Sequence, residues 1–326
     1  MIVSCAPFRV SFAGGGSDIA SFYRRSAGAV LSCAITRYSF IMIHPYFNSD
    51  RIHLKYSRTE LVDRREDIQH PILRESLDLT GVQGGVEIAS IADIPSGTGL
   101  GSSSAFTVAL LHGLYAYQSR FVTKEALARE SSHIEIDRLG EPIGKQDQYA
   151  SAYGGLNFIE FNSNDSVTVH PLNLPTALIA ELESHLMLFY TGDQRSARAV
   201  LSDQNQNVAS DQKKFGTLQQ MVELAYELRD RLVKSDLIGF AEGLHRGWLM
   251  KQSLSARIST SLIDTMYEKA IAAGALGGKL AGAGGGGFLV LFCPREKQAA
   301  VREALTGYQE MAFRIDWSGA RVAFAQ

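Results

Sequence analysis

The stretch Pro95-Ser96-Gly97-Thr98-Gly99-Leu100-Gly101-Ser102-Ser103-Ser104-Ala105 alternates glycine with small hydroxyl residues and runs directly into an apolar helical pattern. Its chemistry is that of a phosphate cradle. Glycine lets the backbone take positive φ and come close to a ligand. A helix beginning near Ser103 leaves its first N–H groups without partners, and its dipole favours negative charge there. The helix is apolar nearly all round, through Ala105, Phe106, Val108, Ala109, Leu110, Leu111, Leu114 and Tyr115, so it is expected to be buried and rigid. Two better-known phosphate loops do not fit. Gly101 is followed by Ser102, where the P-loop pattern needs lysine. A literal G-x-G-x-x-G at Gly282, Gly284 and Gly287 precedes the strand-like Phe288–Phe292, whereas the dinucleotide fingerprint follows a strand. The plain alternative for residues 95–104 is a Gly/Ser turn that caps a core helix.

Several charged residues have two readings each. Arg9 lies in the otherwise apolar strand pattern Val3, Cys5, Phe8, Val10, Phe12, as an edge-strand charge or as a cation pointed into a cleft. Gly14-Gly15-Gly16 builds a tight turn and also permits a small ligand to approach the backbone. Ser17-Asp18 reads as the N-cap of a helix over Ile19–Arg25. Asp147 stands at the start of a short helix, where the dipole stabilises a carboxylate, and capping is its bland role. Glu130 and Glu135 lie on a helix capped by Thr123; Glu135 with Arg138 three residues on makes a plain surface ion pair.

Composition narrows the class. The chain has 326 residues, 45% of them apolar, enough for two domains of ordinary globular character. A formal charge of −2 argues against nucleic-acid binding driven by bulk charge. Cys5, Cys33 and Cys293 are far apart, with no zinc or disulfide spacing, and fit a reducing compartment. Met1–Cys5 lacks the basic n-region of a signal peptide, and no apolar run approaches membrane-span length. A cytoplasmic protein without membrane partners is expected.

Periodicity places the elements. Strands are expected at Ala29–Ile35, Ser39–His44, Ile52–Tyr56, Val86–Ile91, Leu156–Phe161, His185–Tyr190, Phe288–Cys293, Met311–Ile315 and Arg321–Ala325, and in the first residues with an interruption at Pro7. Helices are expected at Asp67–Thr80, from Thr123 to about Leu139, and at Phe215–Val233, Leu237–Lys251, Ser261–Ala273 and Arg295–Thr306. The polar, turn-rich Asn162–Pro175 marks a boundary between domains 1–172 and 173–326. The class is α+β.

Three segments, Ala6-Pro7-Phe8-Arg9 through Asp18, Pro95 through Ala105, and Lys279 through Gly287, together resemble the signature motifs of the galacto-, homoserine, mevalonate and phosphomevalonate (GHMP) kinase superfamily. Within it, APFRVSFAGGGSD, LGEPIGKQDQYASAYGG and GGKLAGAGGGGF are most similar to the bacterial D-glycero-α-D-manno-heptose 7-phosphate kinases. The resemblance implies a ribosomal-protein-like β-α N-terminal domain, a ferredoxin-like C-terminal domain and an active site in the cleft between them. It implies a cytoplasmic sugar kinase that uses ATP and Mg²⁺, with a sugar phosphate as acceptor; a homodimer is left open.

By the same resemblance, Gly97, Gly99, Gly101 and Ser102 would wrap the ATP phosphates, with Pro95, Thr98, Leu100 and Ser104 completing the nucleotide loop. Ser103 and Glu135 would hold the metal, since a hard cation takes oxygen ligands, with Glu130 the rival of Glu135. Asp147 would be the catalytic base and Arg9 would stabilise the transferred group. Gly14, Gly15, Gly16, Ser17 and Asp18 would meet the sugar, and Gly284 and Gly285 would support the site from the second domain. Galactokinase-like members continue the first motif with Gly-Glu-His; the glycines here argue against galactose. A distal phosphate calls for cations, with Arg195 first and Arg198, Arg24 and Lys251 as alternatives. Lys145 stands ready either to tune Asp147 or to touch a phosphate.

Overall fold

The computed structural model describes residues 1–47, 50–192 and 197–326. The chain opens with β1 (Ile2–Ala13), the short α1 (Ala20–Tyr23) and β2 (Gly28–Pro45). β1 and β2 pair antiparallel, and the expected break at Pro7 is a register shift between Pro7 and Phe8, where a missing N–H is tolerated. The two strands expected at Ala29–Ile35 and Ser39–His44 are one: β2 bends and gives its halves different neighbours. Then come β3 (Ile52–Lys55), β4 (Thr59–Val62), α2 (Pro71–Thr80), β5 (Val86–Ala92), α3 (Ser102–Tyr117), α4 (Lys124–Ser132), α5 (Gln146–Tyr153), β6 (Leu156–Phe161) and β7 (Val167–Pro171). In the main sheet the order is β11-β1-β2-β5-β3-β4, with β6 on the first half of β2 and β7 on β6. Only β3–β5 is parallel among the described pairs. The all-round apolar α3 lies on β1 and β2, with Val108, Ala109, Leu110 and Leu111 fully buried.

The second half contains α6 (Thr176–His185), β8 (Leu186–Tyr190), α7 (Ala197–Ser210), α8 (Gln212–Val233), α9 (Leu237–Leu254), α10 (Ser261–Ala272), β9 (Gly277–Leu280), β10 (Phe288–Phe292), α11 (Gln298–Ala304) and β11 (Arg321–Ala325). Its sheet, β8-β10-β9, is antiparallel throughout. The two-domain α+β architecture expected from the sequence is present.

Some expectations are corrected. Asn162–Pro175 is not simply a turn-rich boundary, since β7 forms a hairpin with β6 inside it. The last strand, β11, returns to pair with β1, so the end of the chain belongs to the first sheet. Met311–Ile315 forms no strand; nearby contacts are the isolated bridges Ile35–Ile315 and Phe189–Glu310. Ser17-Asp18 does not cap the first helix, whose N-cap is Ile19 without a side-chain bond.

Candidate functional site

The glycine loop enters α3 with Gly101 as N-cap in the left-handed region, φ 79°, and no side chain caps the helix. Its first N–H groups therefore remain open to an anion, as expected for a phosphate cradle. A cleft of about 240 Å³ lies in front of this helix end, lined among others by Arg9, Asp18, Ser103, Glu135, Asp147 and Lys279.

Arg9 comes from β1, in the sheet interior, and is 3% exposed. Its Nε and Nη2 donate to the two oxygens of Asp147 at 2.8 Å each, and Nη1 donates to the Gly99 carbonyl at 2.6 Å. The fork thus ties α5 to the glycine loop, a use of arginine that lysine could not copy. The cleft reading of Arg9 holds. Gly101 makes room for this pair: a Cβ there would stand 3.1 Å from Asp147 Oδ2 and 3.4 Å from Arg9 Cγ.

Glu135 is 1% exposed and sits in a π-helical turn, His133–Arg138, that continues α4. The wider turn is a frequent marker of functional sites. It rotates Glu135 inward, where Oε1 accepts from Ser103 Oγ at 2.5 Å and Oε2 from Gln148 Nε2 at 2.7 Å. The bland surface pairing with Arg138 is therefore wrong; Arg138 bonds Asp78 and Glu75 instead. Burial pushes the Glu135 carboxyl up to about 7, against the lowering effect of its hydrogen bonds. Glu130 lies elsewhere, accepting from Tyr115 Oη at 2.6 Å.

Asp18 faces the cleft and also fastens the head of α5. Its Oδ1 accepts from Gly16 N at 3.0 Å and Gln146 Nε2 at 3.1 Å, and its Oδ2 from Gln146 N at 3.1 Å. Burial raises its pKa. Ser11 and Gln146 line the same cleft, and Ser11 Oγ and Gln146 Oε1 are buried without a partner among the described residues. Gly15 and Gly16 line it too, whereas Gly14 and Ser17 do not: Ser17 Oγ is used on the carbonyls of Gly14 and Ala29. In the glycine loop, Thr98 and Leu100 are buried, Thr98 Oγ1 bonding the Pro95 carbonyl and Leu100 O accepting from Arg9 N. They shape the loop, and the members that line the cleft are Gly97, Gly99, Gly101, Ser102, Ser103 and Ser104.

The second half contributes differently from expectation. Gly284 and Gly285 pack on Ile258, and it is Lys279, Gly282 and Ala283 that reach the cleft. Gly282 meets Gly99 backbone to backbone, each lacking the Cβ that would collide with the other loop at 2.5 Å. Lys251 is buried and donates to the carbonyls of Leu280 and Gly282, so it braces the loop. Lys279 is buried as well, and sequence reasoning missed it. Its one signal was a lysine set between glycines ahead of an apolar strand.

The distal-phosphate candidates divide between residues outside the described part of the structure and residues engaged elsewhere. Arg195 lies outside the described residues, as does the side chain of Arg198. Arg24 pairs with Asp165 on the surface. Lys145 points away from Asp147, with Nζ 3.1 Å from the Asp165 carbonyl and 4.9 Å above the Tyr23 ring, and so tunes neither Asp147 nor a phosphate in the cleft.

Residues 69–155 match the GHMP kinases N-terminal domain and residues 225–309 the GHMP kinases C-terminal domain. The chain belongs to the GHMP kinases. This kinase is 29% identical to a D-glycero-alpha-D-manno-heptose 7-phosphate kinase of Campylobacter jejuni, over 96% of this chain and 94% of that one. It is 28% identical to a bifunctional fucokinase/GDP-fucose pyrophosphorylase of Arabidopsis thaliana, over 96% of this chain and 32% of the relative. Its fold superposes on the crystal structure of a D-glycero-D-manno-heptose 1-phosphate kinase from Bacteroides thetaiotaomicron with a TM-score of 0.83 and 26% identity, all of both chains being covered. The protein is accordingly a phosphotransferase of the sugar-kinase kind. Among the described residues no helix is long and apolar enough to cross a membrane.

Proposed function

We propose that this kinase transfers the γ-phosphoryl group of ATP to the anomeric hydroxyl of D-glycero-D-manno-heptose 7-phosphate, giving the 1,7-bisphosphate for nucleotide-activated heptose in surface polysaccharide synthesis. The observation that carries the chemistry is the Arg9–Asp147 clamp set beside the open N-terminus of α3. The likeness to heptose kinases along nearly the whole chain supports the acceptor. The fucokinase relative keeps an unphosphorylated hexose as the second reading.

The backbone N–H groups of the glycine loop and of Ser102, Ser103 and Ser104 hold the phosphates. The sugar lies over Gly15 and Gly16, where the unpartnered Ser11 hydroxyl and Gln146 carbonyl, with Asp18, meet its hydroxyls. Arg9 occupies one lone pair on each Asp147 oxygen, and the remaining lone pairs orient the anomeric O–H and receive its proton as the O–P bond forms and the bond from the γ-phosphorus to the β–γ bridging oxygen breaks, releasing ADP. Ser103 and Glu135 fit Mg²⁺: a hydroxyl and a buried carboxyl of raised pKa are hard oxygen donors that face no protein cation. A single protein carboxylate suffices where phosphates complete the shell. The ion, when bound, neutralises charge on the phosphates.

Phosphorylation of a sugar panel, with and without a distal phosphate, tests the acceptor; preference for a free hexose would remove the heptose phosphate. Replacing Asp147 by Asn is expected to abolish turnover while nucleotide affinity stays near the original, and undiminished turnover would remove the base assignment.

A further inference from the structure

The cationic groups that line the cleft among the described residues are Arg9, Lys251 and Lys279. Arg9 is committed to Asp147 and to the Gly99 carbonyl. Lys251 is committed to the carbonyls of Leu280 and Gly282. Lys279 is 5% exposed, and among the described residues no hydrogen bond or ion pair engages its side-chain ammonium, although its backbone pairs with Val290 in the sheet. A buried ammonium without a partner is costly unless a ligand completes it. Its position says which ligand. Lys279 lies one residue before the end of β9, which leads into the loop whose Gly282 touches Gly99, and its field is felt at Lys251 as that of Arg9 is felt at Lys279. It therefore stands on the side of the cleft facing the phosphate loop and the Arg9–Asp147 clamp.

We propose that Lys279 is the phosphate-contacting cation of this kinase, supplied by the second half of the chain and held in reserve for the phosphoryl group in transfer. Arg9 positions the aspartate and Lys251 braces the loop; Lys279 meets the negative charge. The proposal rests on the kinase reading above. It also accounts for the burial of this lysine, whose side chain supports no carbonyl, cap or ion pair among the described residues.

Substitution of Lys279 by Met tests it. The loss of an uncompensated buried charge predicts an unfolding temperature equal to or above that of the unaltered protein. Turnover with ATP and sugar phosphate is expected to fall about a hundredfold, as when one preorganised donor is removed from a transfer site. Lys279→Arg should recover part of the turnover.

A second readout is independent of turnover. Burial, and then Arg9, pull the Lys279 ammonium down to about 7, so at pH 8 it is mostly neutral in the empty cleft. Arg9 on β1 and Lys251 on α9 face it as cations; Asp147 on α5, with Asp18, Glu135 and Glu141, are the carboxylates that line the cleft among the described residues. Titration calorimetry with the non-hydrolysable ATP analogue AMP-PNP, in buffers of different ionisation enthalpy at pH 8, is expected to show more proton uptake for the unaltered protein than for Lys279→Met, by up to about 0.9 per site. Turnover of Lys279→Met within threefold of the original, or equal proton uptake by the two proteins, would overturn the proposal while leaving the kinase reading intact. Absence of phosphoryl transfer by the unaltered protein to any sugar of the panel would instead overturn the reading on which it rests.

Discussion

Glu135→Gln should make the ligand-free protein more stable and pH-insensitive at this site while removing its activity. The carboxyl has an ordinary value of 4.5 and is pushed up to about 7 by burial. Between those values the folded protein holds a proton that the unfolded chain has released. Stability is therefore greatest below about 4.5, falls as pH rises towards 7, and carries the full cost above 7. The gap between 4.5 and about 7, at about 1.4 kcal/mol per unit, gives roughly 3 kcal/mol at pH 8. The variant's amide can keep both contacts, its oxygen accepting from Gln148 Nε2 and its NH₂ donating to Ser103 Oγ, which now acts as acceptor. Thermal unfolding followed by circular dichroism at pH 5 and pH 8, with chelator present, is the assay. The variant's unfolding temperature should exceed the original by a few degrees at pH 8 and match it closely at pH 5. Turnover should be lost at both, because the amide is a poor ligand for Mg²⁺. A variant less stable than the original at pH 8, or an advantage that does not shrink on acidification, would refute the reasoning.

Gly101→Ala places a Cβ 3.1 Å from Asp147 Oδ2 on a backbone with φ of 79°, and should cost about 1–2 kcal/mol in urea unfolding and at least tenfold in turnover. Lys251→Met removes the donor to two loop carbonyls; because burial pulls this lysine well below 10.5, stability of the original should rise with pH towards that value, and the variant should lack the rise in a melting series. Arg24→Ala breaks only an exposed pair with Asp165, so the KM for sugar phosphate should change by less than twofold in steady-state kinetics.

What could be read from the chain divides along physical lines. The glycine loop, α3 and Asp147 at the head of α5 were legible because composition and periodicity state them locally. The inward turn of Glu135 was not: a π-helical turn has no residue signature, and an ordinary helix left Glu135 beside Arg138 on the surface. Lys279 was passed over because lysine is normally exposed, and the two-residue spacing in Lys279-Leu280-Ala281 gives no hint that the strand is covered on both faces. Asp18 looked like a helix cap, since Ser-Asp before an apolar run is the usual sign. Its carboxylate instead reaches the N–H of Gln146, 128 positions away, a contact that no local pattern encodes. β7 was hidden by its position: an edge strand with exposed Thr168 and His170 reads as loop. The return of β11 to β1 is likewise a long-range pairing, set by the whole sheet and not by its five residues.

The charged groups of the cleft share one tendency. Burial moves Glu135 and Asp18 up and Lys251 and Lys279 down, each towards its neutral form. A fold selected only for stability would replace such groups or pair them with one another, yet of Arg9, Asp18, Glu135, Asp147, Lys251 and Lys279 only Arg9 and Asp147 form an ion pair among the described residues. The glycine contact between residues 99 and 282 explains how the others can face a common space without meeting. It brings the two loops together through backbone alone, and Glu135 and Lys279 both line the cleft they enclose. A ligand that carries a cation towards Glu135 and an anion towards Lys279 restores charge to both groups at once. A metal-bound polyphosphate has that polarity, whereas a neutral sugar or a lone anion satisfies only one side. The electrostatics of the cleft thus favour phosphoryl transfer on grounds separate from the sequence motifs that surround it.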